Sequence, residues 1–181
     1  MINISTPLEK DIVNGLKTGY EVAISGTIYT ARDAAHKKME ETLNMGGELP
    51  FNITGQIIYY VGPCPPKPGK IIGPAGPTTS GRMDAYTPRL LKLGLAGMIG
   101  KGGRNTEVIE SIIENKAVYF GAIGGAGALI ARCIISQEVI AYPELGPEAI
   151  RKLEVVNFPA IVIIDSKGNN LYELGKSTFK R

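Results

Sequence analysis

The chain has 181 residues, 44% of them hydrophobic, with 20 Lys and Arg against 17 Asp and Glu and a formal net charge of +3. That length supports one well-buried core, and no polar linker divides it into halves of domain size, so residues 1–181 read as a single domain. A charge so small and dispersed argues against nucleic acid as a partner and leaves a small anionic ligand as the better use of the cations.

Cys64 and Cys133 are the two cysteines, far apart and outside any Cys-x-x-Cys pattern, which argues against a disulfide framework and for a reducing, cytoplasmic setting. The first residues lack the basic start and apolar run of a signal peptide, and no apolar run approaches the ~18 residues that span a bilayer. A soluble protein is expected. The 23 glycines and 12 prolines follow no repeat period and point to many tight turns around short elements.

In chain order, Tyr20 to Thr30 mostly alternates small or polar with β-branched and aromatic residues and predicts one strand, or two around Gly26. Ala31 to Leu43 is rich in helix formers, with Ala35, Met39 and Leu43 at spacing four. This places Arg32 in the first turn of a helix, with Asp33 at its positive end as a dipole-stabilising carboxylate. His36 is the single histidine, and its ordinary reading is a surface or packed residue. Gln56 to Val61 is a β-rich apolar run between Gly55 and Gly62, consistent with a strand buried on both faces. The Gly-Pro-Cys-Pro-Pro-Lys-Pro-Gly that follows reads as a rigid loop of polyproline character.

The chain is organised around Gly73 to Asp84, Gly-Pro-Ala-Gly-Pro-Thr-Thr-Ser-Gly-Arg-Met-Asp. Its two Gly-Pro pairs forbid helix or central strand, because proline lacks an N–H and biases its predecessor towards extended geometry. Thr78, Thr79 and Ser80 then stand where N-cap residues stand, so hydroxyls and the free N–H groups of a helix start face one way. Negative charge is favoured there. Thr78 and Arg82, four apart, could hold a carboxylate or phosphate between them.

A helix is expected from Arg82 to Leu93, with Pro88 either kinking it or splitting off a second short helix. Leu95 to Gly100 is a short strand, and Lys101-Gly102-Gly103-Arg104-Asn105 leads into a helix from Thr106 to Lys116. Asn105 is its natural cap, and Val108, Ile109, Ile112 and Ile113 form its apolar stripe. Arg32, Arg82 and Lys101 thus each sit near a strand-to-helix connection, where several such connections at one sheet edge converge on a ligand.

Ala117 to Ile123 reads as a strand and Gly124 to Ala128 as the opening of a small apolar helix. The glycine spacing puts Ile130 where a dinucleotide fingerprint needs its third glycine, and no phosphate-loop motif occurs, so nucleotides are discounted. Beyond lie an expected strand from Ile134 to Ile140, a short helix from Pro147 to Leu153 and a buried strand from Ala160 to Asp165. Ser166 to Asn169 reads as a hairpin turn, Leu171 to Leu174 as a returning antiparallel strand, and Lys176 to Arg181 as a basic tail.

Gly76-Pro-Thr-Thr-Ser-Gly-Arg-Met-Asp84, followed by Lys101-Gly-Gly-Arg104 and Ile123-Gly-Gly125, resembles the C-terminal region of the iron-sulfur (class I) fumarases. Ser25-Gly26-Thr27, Arg32-Asp33 with His36, Tyr142-Pro-Glu-Leu-Gly146 and Phe158-Pro-Ala160 fall in the family's order, so the likeness runs almost end to end. The family includes fumarate hydratase and the L-tartrate dehydratase type. Some members divide the enzyme into α and β subunits, and this chain resembles the β subunit.

The resemblance implies an α/β fold, a swivelling β/β/α domain with a mixed sheet whose strand-to-helix connections form an anion site. It also implies a 4Fe-4S cluster held by three cysteines of a partner α subunit, with one iron left open to bind substrate as a Lewis acid. Two isolated cysteines cannot supply three such ligands, so neither Cys64 nor Cys133 is assigned to iron and this chain carries no metal ligand.

The family's substrate-contacting positions fall on Arg32, Thr78, Arg82 and Lys101. Two carboxylates call for cationic partners, and a charge-assisted hydrogen bond contributes about 1.5–3 kcal/mol, more than a neutral one. Cations also stabilise the carbanion-like species through which fumarate is hydrated. Thr78 is the implied group for proton transfer at carbon, against the alternative that it only caps a helix while the partner does the chemistry. His36 is a secondary candidate, to orient a carboxylate or relay a proton. The expected activity is a hydro-lyase interconverting fumarate and L-malate as a hetero-oligomer with the α subunit, and inert alone. L-tartrate dehydratase, a mesaconate-type substrate and a non-catalytic anion-binding or assembly module are the alternatives.

Overall fold

A computed structural model of the chain describes residues 1–122 and 127–179. The strands β1 (Ile2–Ser5), β2 (Glu21–Thr30), β3 (Ile57–Tyr59), β4 (Gly97–Gly100) and β5 (Val118–Gly121) run parallel, each hydrogen-bonded to the next. Parallel neighbours need crossovers, supplied in turn by α1 (Lys10–Gly15), α2 (Asp33–Asn44), α3 (Thr87–Lys92) and α4 (Thr106–Asn115). After α5 (Gly127–Arg132) the chain forms β6 (Ile134–Ala141), β7 (Ile150–Ile164) and α6 (Leu171–Phe179).

The last strand closes the fold. β7 lies antiparallel to β2 along nearly all of β2, and its far edge is shared between β6 and β5. Because β7 joins β5 back to β2, the strands β2-β3-β4-β5-β7 form a ring, extended by β1 and β6. Side chains alternate across such a wall. Ile57, Tyr59, Val61, Ile99, Val118 and Phe120 join one buried cluster with Ile24, Ile28, Phe158 and Val162, inside the ring. Their neighbours Ile58, Tyr60, Met98 and Tyr119 join a second cluster with Met39, Leu90, Leu91, Val108 and Ile112, under the helices α2, α3 and α4. Burial of β3 on both faces follows from this.

Several local expectations hold. Tyr20 to Thr30 forms one strand, interrupted by a register shift between Ile24 and Gly26. The segment after Gly81 is split: a 3-10 turn covers Ser80–Met83, and Pro88 sits in the first turn of α3, where its missing N–H is harmless. Asn105 caps α4, its side chain accepting from the Val108 N–H at 2.9 Å.

Two expectations are overturned. No helix spans Pro147 to Leu153: a 3-10 segment, Pro143–Glu148, stops at Glu148 and β7 begins at Ile150. The buried Ile150, Leu153 and Val155 are claimed by pairing with β2 on one side and β6 on the other, which outweighs local propensity. Leu171 to Leu174 opens α6 instead of returning as a strand. Asn170 stops the hairpin after a single bridge to Ile164, because its side chain accepts from the Tyr172 N–H at 3.1 Å and so caps a helix. The tail expected from Lys176 therefore begins as helix, and its last two residues lie outside the described residues. So does the glycine run before Gly127, while Gly127–Arg132 is helical as expected.

Candidate active site

At the end of β2 the Ala31 N–H still donates to Tyr59, and the chain turns into α2 at Arg32. The Arg32 carbonyl accepts from the His36 N–H and from His36 Nδ1, both at 2.8 Å. Its side chain passes over Gly62, just beyond β3: a Cβ there would lie 3.1 Å from both Cδ and Nη1 of Arg32 and would push the arginine aside by a few tenths of an ångström. Arg32 Nη2 faces two carboxylates, Asp33 Oδ2 at 3.4 Å and Glu148 Oε1 at 3.5 Å. The other oxygen of Glu148 accepts from the Ala34 N–H at 2.9 Å, fixing Glu148 over the start of α2.

The Gly-Pro stretch approaches the same edge from β3. Tyr59 donates its hydroxyl to the Ala75 carbonyl at 2.5 Å, and the Thr78 N–H donates to Tyr60 at 2.7 Å. Thr79 then pairs in parallel with Lys101, just past β4: the Lys101 N–H donates to Thr78 at 3.3 Å and the Ser80 N–H to Lys101 at 2.9 Å. Below, buried Ser80 donates its hydroxyl to Tyr119 at 2.9 Å, and Tyr119 donates on to the Gly102 carbonyl at 2.8 Å. The strip bearing Thr78 and the loop bearing Lys101 are thus one tied unit. The N-cap of the 3-10 turn is Thr79, without a side-chain cap bond, so Thr78 is not consumed by capping. Thr78 is half-buried, and its hydroxyl makes no hydrogen bond among the described residues.

Arg82 comes from the 3-10 turn and binds Asp33 Oδ1 through Nε at 2.6 Å, with 55% of its side chain exposed. Lys101 is exposed and has no ion pair among the described residues. Arg32, Arg82, Thr78 and Lys101 therefore share the carboxyl-terminal edge of β2, β3 and β4, on an open face.

His36 sits behind this face. It is 1% exposed, its ring centre lies 5.4 Å from that of Tyr60, edge to face, and 5.9 Å from that of Tyr86, tilted, and Nε2 has no partner among the described residues. Burial pulls its pKa from 6.5 to about 4, against the opposing pull of the Arg32 carbonyl. The ring is therefore neutral near pH 7, with Nδ1–H donating to Arg32. What the geometry gives His36 is a hold on the Arg32 main chain.

Other charged residues matter that sequence reading missed. The Arg104 side chain is 0% exposed, with Nε donating to Asp84 at 2.6 Å, Nη2 to Thr87 at 2.8 Å, and its plane beside Tyr60 and Tyr119. The second Asp84 oxygen accepts from the Asn105 N–H at 2.8 Å. This buried pair anchors α4 to the turn after Met83. Nothing local marks it in the sequence, since both residues look like ordinary surface charges; nor does anything mark Glu148 as a partner of Arg32.

The cysteines offer no cluster site. Cys64 is exposed, and Cys133 directs Sγ at the Leu129 and Asn157 carbonyls, 3.8 and 3.7 Å away, with burial pushing its thiol pKa up. Among the described residues no group of three or more His, Cys, Asp and Glu is placed to hold a metal ion. The residues of this chain do not fit an iron-sulfur cluster.

Mostly parallel strands linked by helices define a mixed α/β domain, and its cations gather at the carboxyl-terminal ends of β2, β3 and β4. Residues 1–175 match the family model described as Fumarase C-terminus, and the chain belongs to that family. It is similar to the anaerobic class I fumarate hydratase of Escherichia coli (strain K12), 42% identical over 154 residues, covering 84% of this chain and 28% of that protein. Fumarate hydratase 2 of Leishmania major is 37% identical, covering 94% and 31%. A Methanocaldococcus jannaschii protein provisionally named L(+)-tartrate dehydratase subunit beta is 41% identical, covering 92% of this chain and 88% of its own length. The chain thus spans about a third of the fumarate hydratases it matches and most of the β subunit.

Proposed function

We propose that this chain is the β subunit of a two-subunit hydro-lyase that interconverts fumarate and L-malate together with a partner α subunit. The partner would carry the 4Fe-4S cluster, whose open iron supplies Lewis-acid chemistry at the substrate hydroxyl. This chain would supply the cations. Arg32, Arg82 and Lys101 give charge-assisted hydrogen bonds to two carboxylates and stabilise the negative charge that spreads into one of them as the carbon proton leaves. Thr78 would take that proton in dehydration and return it in hydration, with the cations of the same edge favouring the alkoxide. His36 holds the main chain of Arg32 from behind.

The reading rests on one observation: the Thr79–Lys101 bridge ties the strip carrying Thr78, whose hydroxyl makes no hydrogen bond among the described residues, to the end of β4 carrying Lys101, on the edge that also carries Arg82. The open face suits closure by a second subunit. No helix among the described residues is long and apolar enough to cross a membrane, and two free cysteines suit a reducing cytoplasm.

A second reading has its own support. The relative named as a tartrate dehydratase subunit beta is matched over 88% of its length, which supports a tartrate reading of the same edge. Both diacids present two carboxylates to the same cations.

Anaerobic hydration of fumarate is the test, by this chain alone and then with a cluster-reconstituted α subunit, with L-tartrate dehydration measured in parallel. Activity is expected in the combined sample only. In that complex Arg82→Ala should lower kcat/KM about ten- to a hundred-fold. Thr78→Ser should keep turnover that Thr78→Ala abolishes. A stable complex with an intact cluster and no activity on either acid would leave a non-catalytic anion-binding module.

A further inference from the structure

We infer that Asp33 is a positioning residue that locks two arginines of the proposed site into one unit; this rests on the reading of Arg32 and Arg82 as substrate-binding groups. The arginines come from different connections, Arg32 from the start of α2 and Arg82 from the turn before α3. Asp33 joins them, with Oδ1 on Arg82 Nε at 2.6 Å and Oδ2 on Arg32 Nη2 at 3.4 Å.

A first-turn carboxylate is stabilised by the helix dipole wherever it points, so the dipole alone predicts no direction for it. Here both oxygens are directed at arginines, and neither bonds to a main-chain N–H of α2 among the described residues. The choice of nitrogen matters too. By holding Arg82 at Nε, Asp33 leaves both terminal nitrogens of a 55% exposed guanidinium free as a planar two-pronged donor. Arg32 is braced from the other side by Glu148, at 3.5 Å.

With Glu148 included, these four charges cancel, and Lys101 makes no ion pair among the described residues. Affinity for a dianion then depends on the arginines standing in the right place more than on net charge. Asp33 does this in advance, removing the side-chain ordering that binding would otherwise impose.

The test uses the reconstituted two-subunit enzyme, with Asp33→Asn, Asp33→Glu, Arg32→Ala, Arg82→Ala and the double variant Asp33→Asn/Arg82→Ala, assayed on fumarate and on L-tartrate. Asp33→Glu keeps a negative charge at the helix start but shifts the carboxylate, so it should retain the thermal midpoint while KM rises about ten-fold and kcat changes less. Asp33→Asn should show the same split, and the double variant should lose less than the two single losses combined, because only the hold on Arg32 remains to be lost once Arg82 is gone. KM and kcat within two-fold of the unaltered enzyme in both Asp33 variants, or additive losses in the double variant, would overturn the inference while leaving the arginines in the site. Full activity in Arg32→Ala and Arg82→Ala would overturn the substrate reading and this inference with it.

Discussion

Within the run Lys-Gly-Gly-Arg two cations have opposite fates. Lys101 is exposed, with no ion pair among the described residues, whereas Arg104 is buried against Asp84, Thr87 and two tyrosine rings. Nothing in the run itself separates them, because an arginine is buried only where its fork is filled, and the groups that fill it come from a distant turn. His36 shows the same dependence on surroundings. Its folded pKa of about 4 lies below the ordinary 6.5, so the unfolded chain takes up the proton first as pH falls. The stability this group contributes is complete above pH 6.5 and is lost as pH falls towards 4, by on the order of 3 kcal/mol in all. His36→Asn can keep the donor to Arg32 without the titration. Urea midpoints at pH 7 and pH 4.5 should therefore fall further for the natural chain than for the variant, and equal falls would show that His36 does not drive the change.

At the scale of elements, the site depends on how closely two connections approach. A Cβ on Gly100 would collide with Ser80 Oγ and lie 3.0 Å from the Tyr60 ring. Ser80 is tied to Lys101 through its N–H and to Gly102 through Tyr119, so displacing it moves the strip that carries Thr78. Gly100→Ala should lower kcat/KM of the reconstituted enzyme by up to about a hundred-fold, the scale of a misplacement near 1 Å. Adding Ser80→Ala, which removes the oxygen in the way, should restore part of the loss; no recovery would mean that the damage lies elsewhere.

The single strand ends and helix starts around this site were legible in the sequence. Asn105 as a cap, Arg32 and Asp33 opening α2, and Lys101 between strand and helix all follow from short-range rules. The link between Asp33 and Arg82 was not legible, since it joins separate connections. Nor was the course of β7, where a short helix from Pro147 to Leu153 was the expectation. The strand there is specified by two partner edges.

For the whole molecule, the closed ring is what holds the anion edge in shape. β7 braces β2 along its length and meets β5, so Arg32 at the end of β2 is fixed to the same wall as Thr78 and Lys101. Phe158 sits within this closure, fully buried and edge-on to Tyr59 at 5.2 Å. Phe158→Ala should destabilise the chain by about 3–5 kcal/mol in urea unfolding, because a packed interior relaxes only partly into the space left. A loss below about 1 kcal/mol would mean that the ring interior is looser than its burial indicates.

By itself the sequence determined the family, the alternation that builds a two-faced wall, the caps and turns, and the residue types able to meet a dicarboxylate. Those are carried by neighbouring residues and by backbone preferences that act within a few positions. Only the tertiary structure decided that β7 closes the ring, that Arg104 turns inward while Lys101 stays out, and that one carboxylate holds two arginines. Each of these depends on edges, volumes and charges brought together from distant parts of the chain, where position in space, not position in sequence, sets the energy.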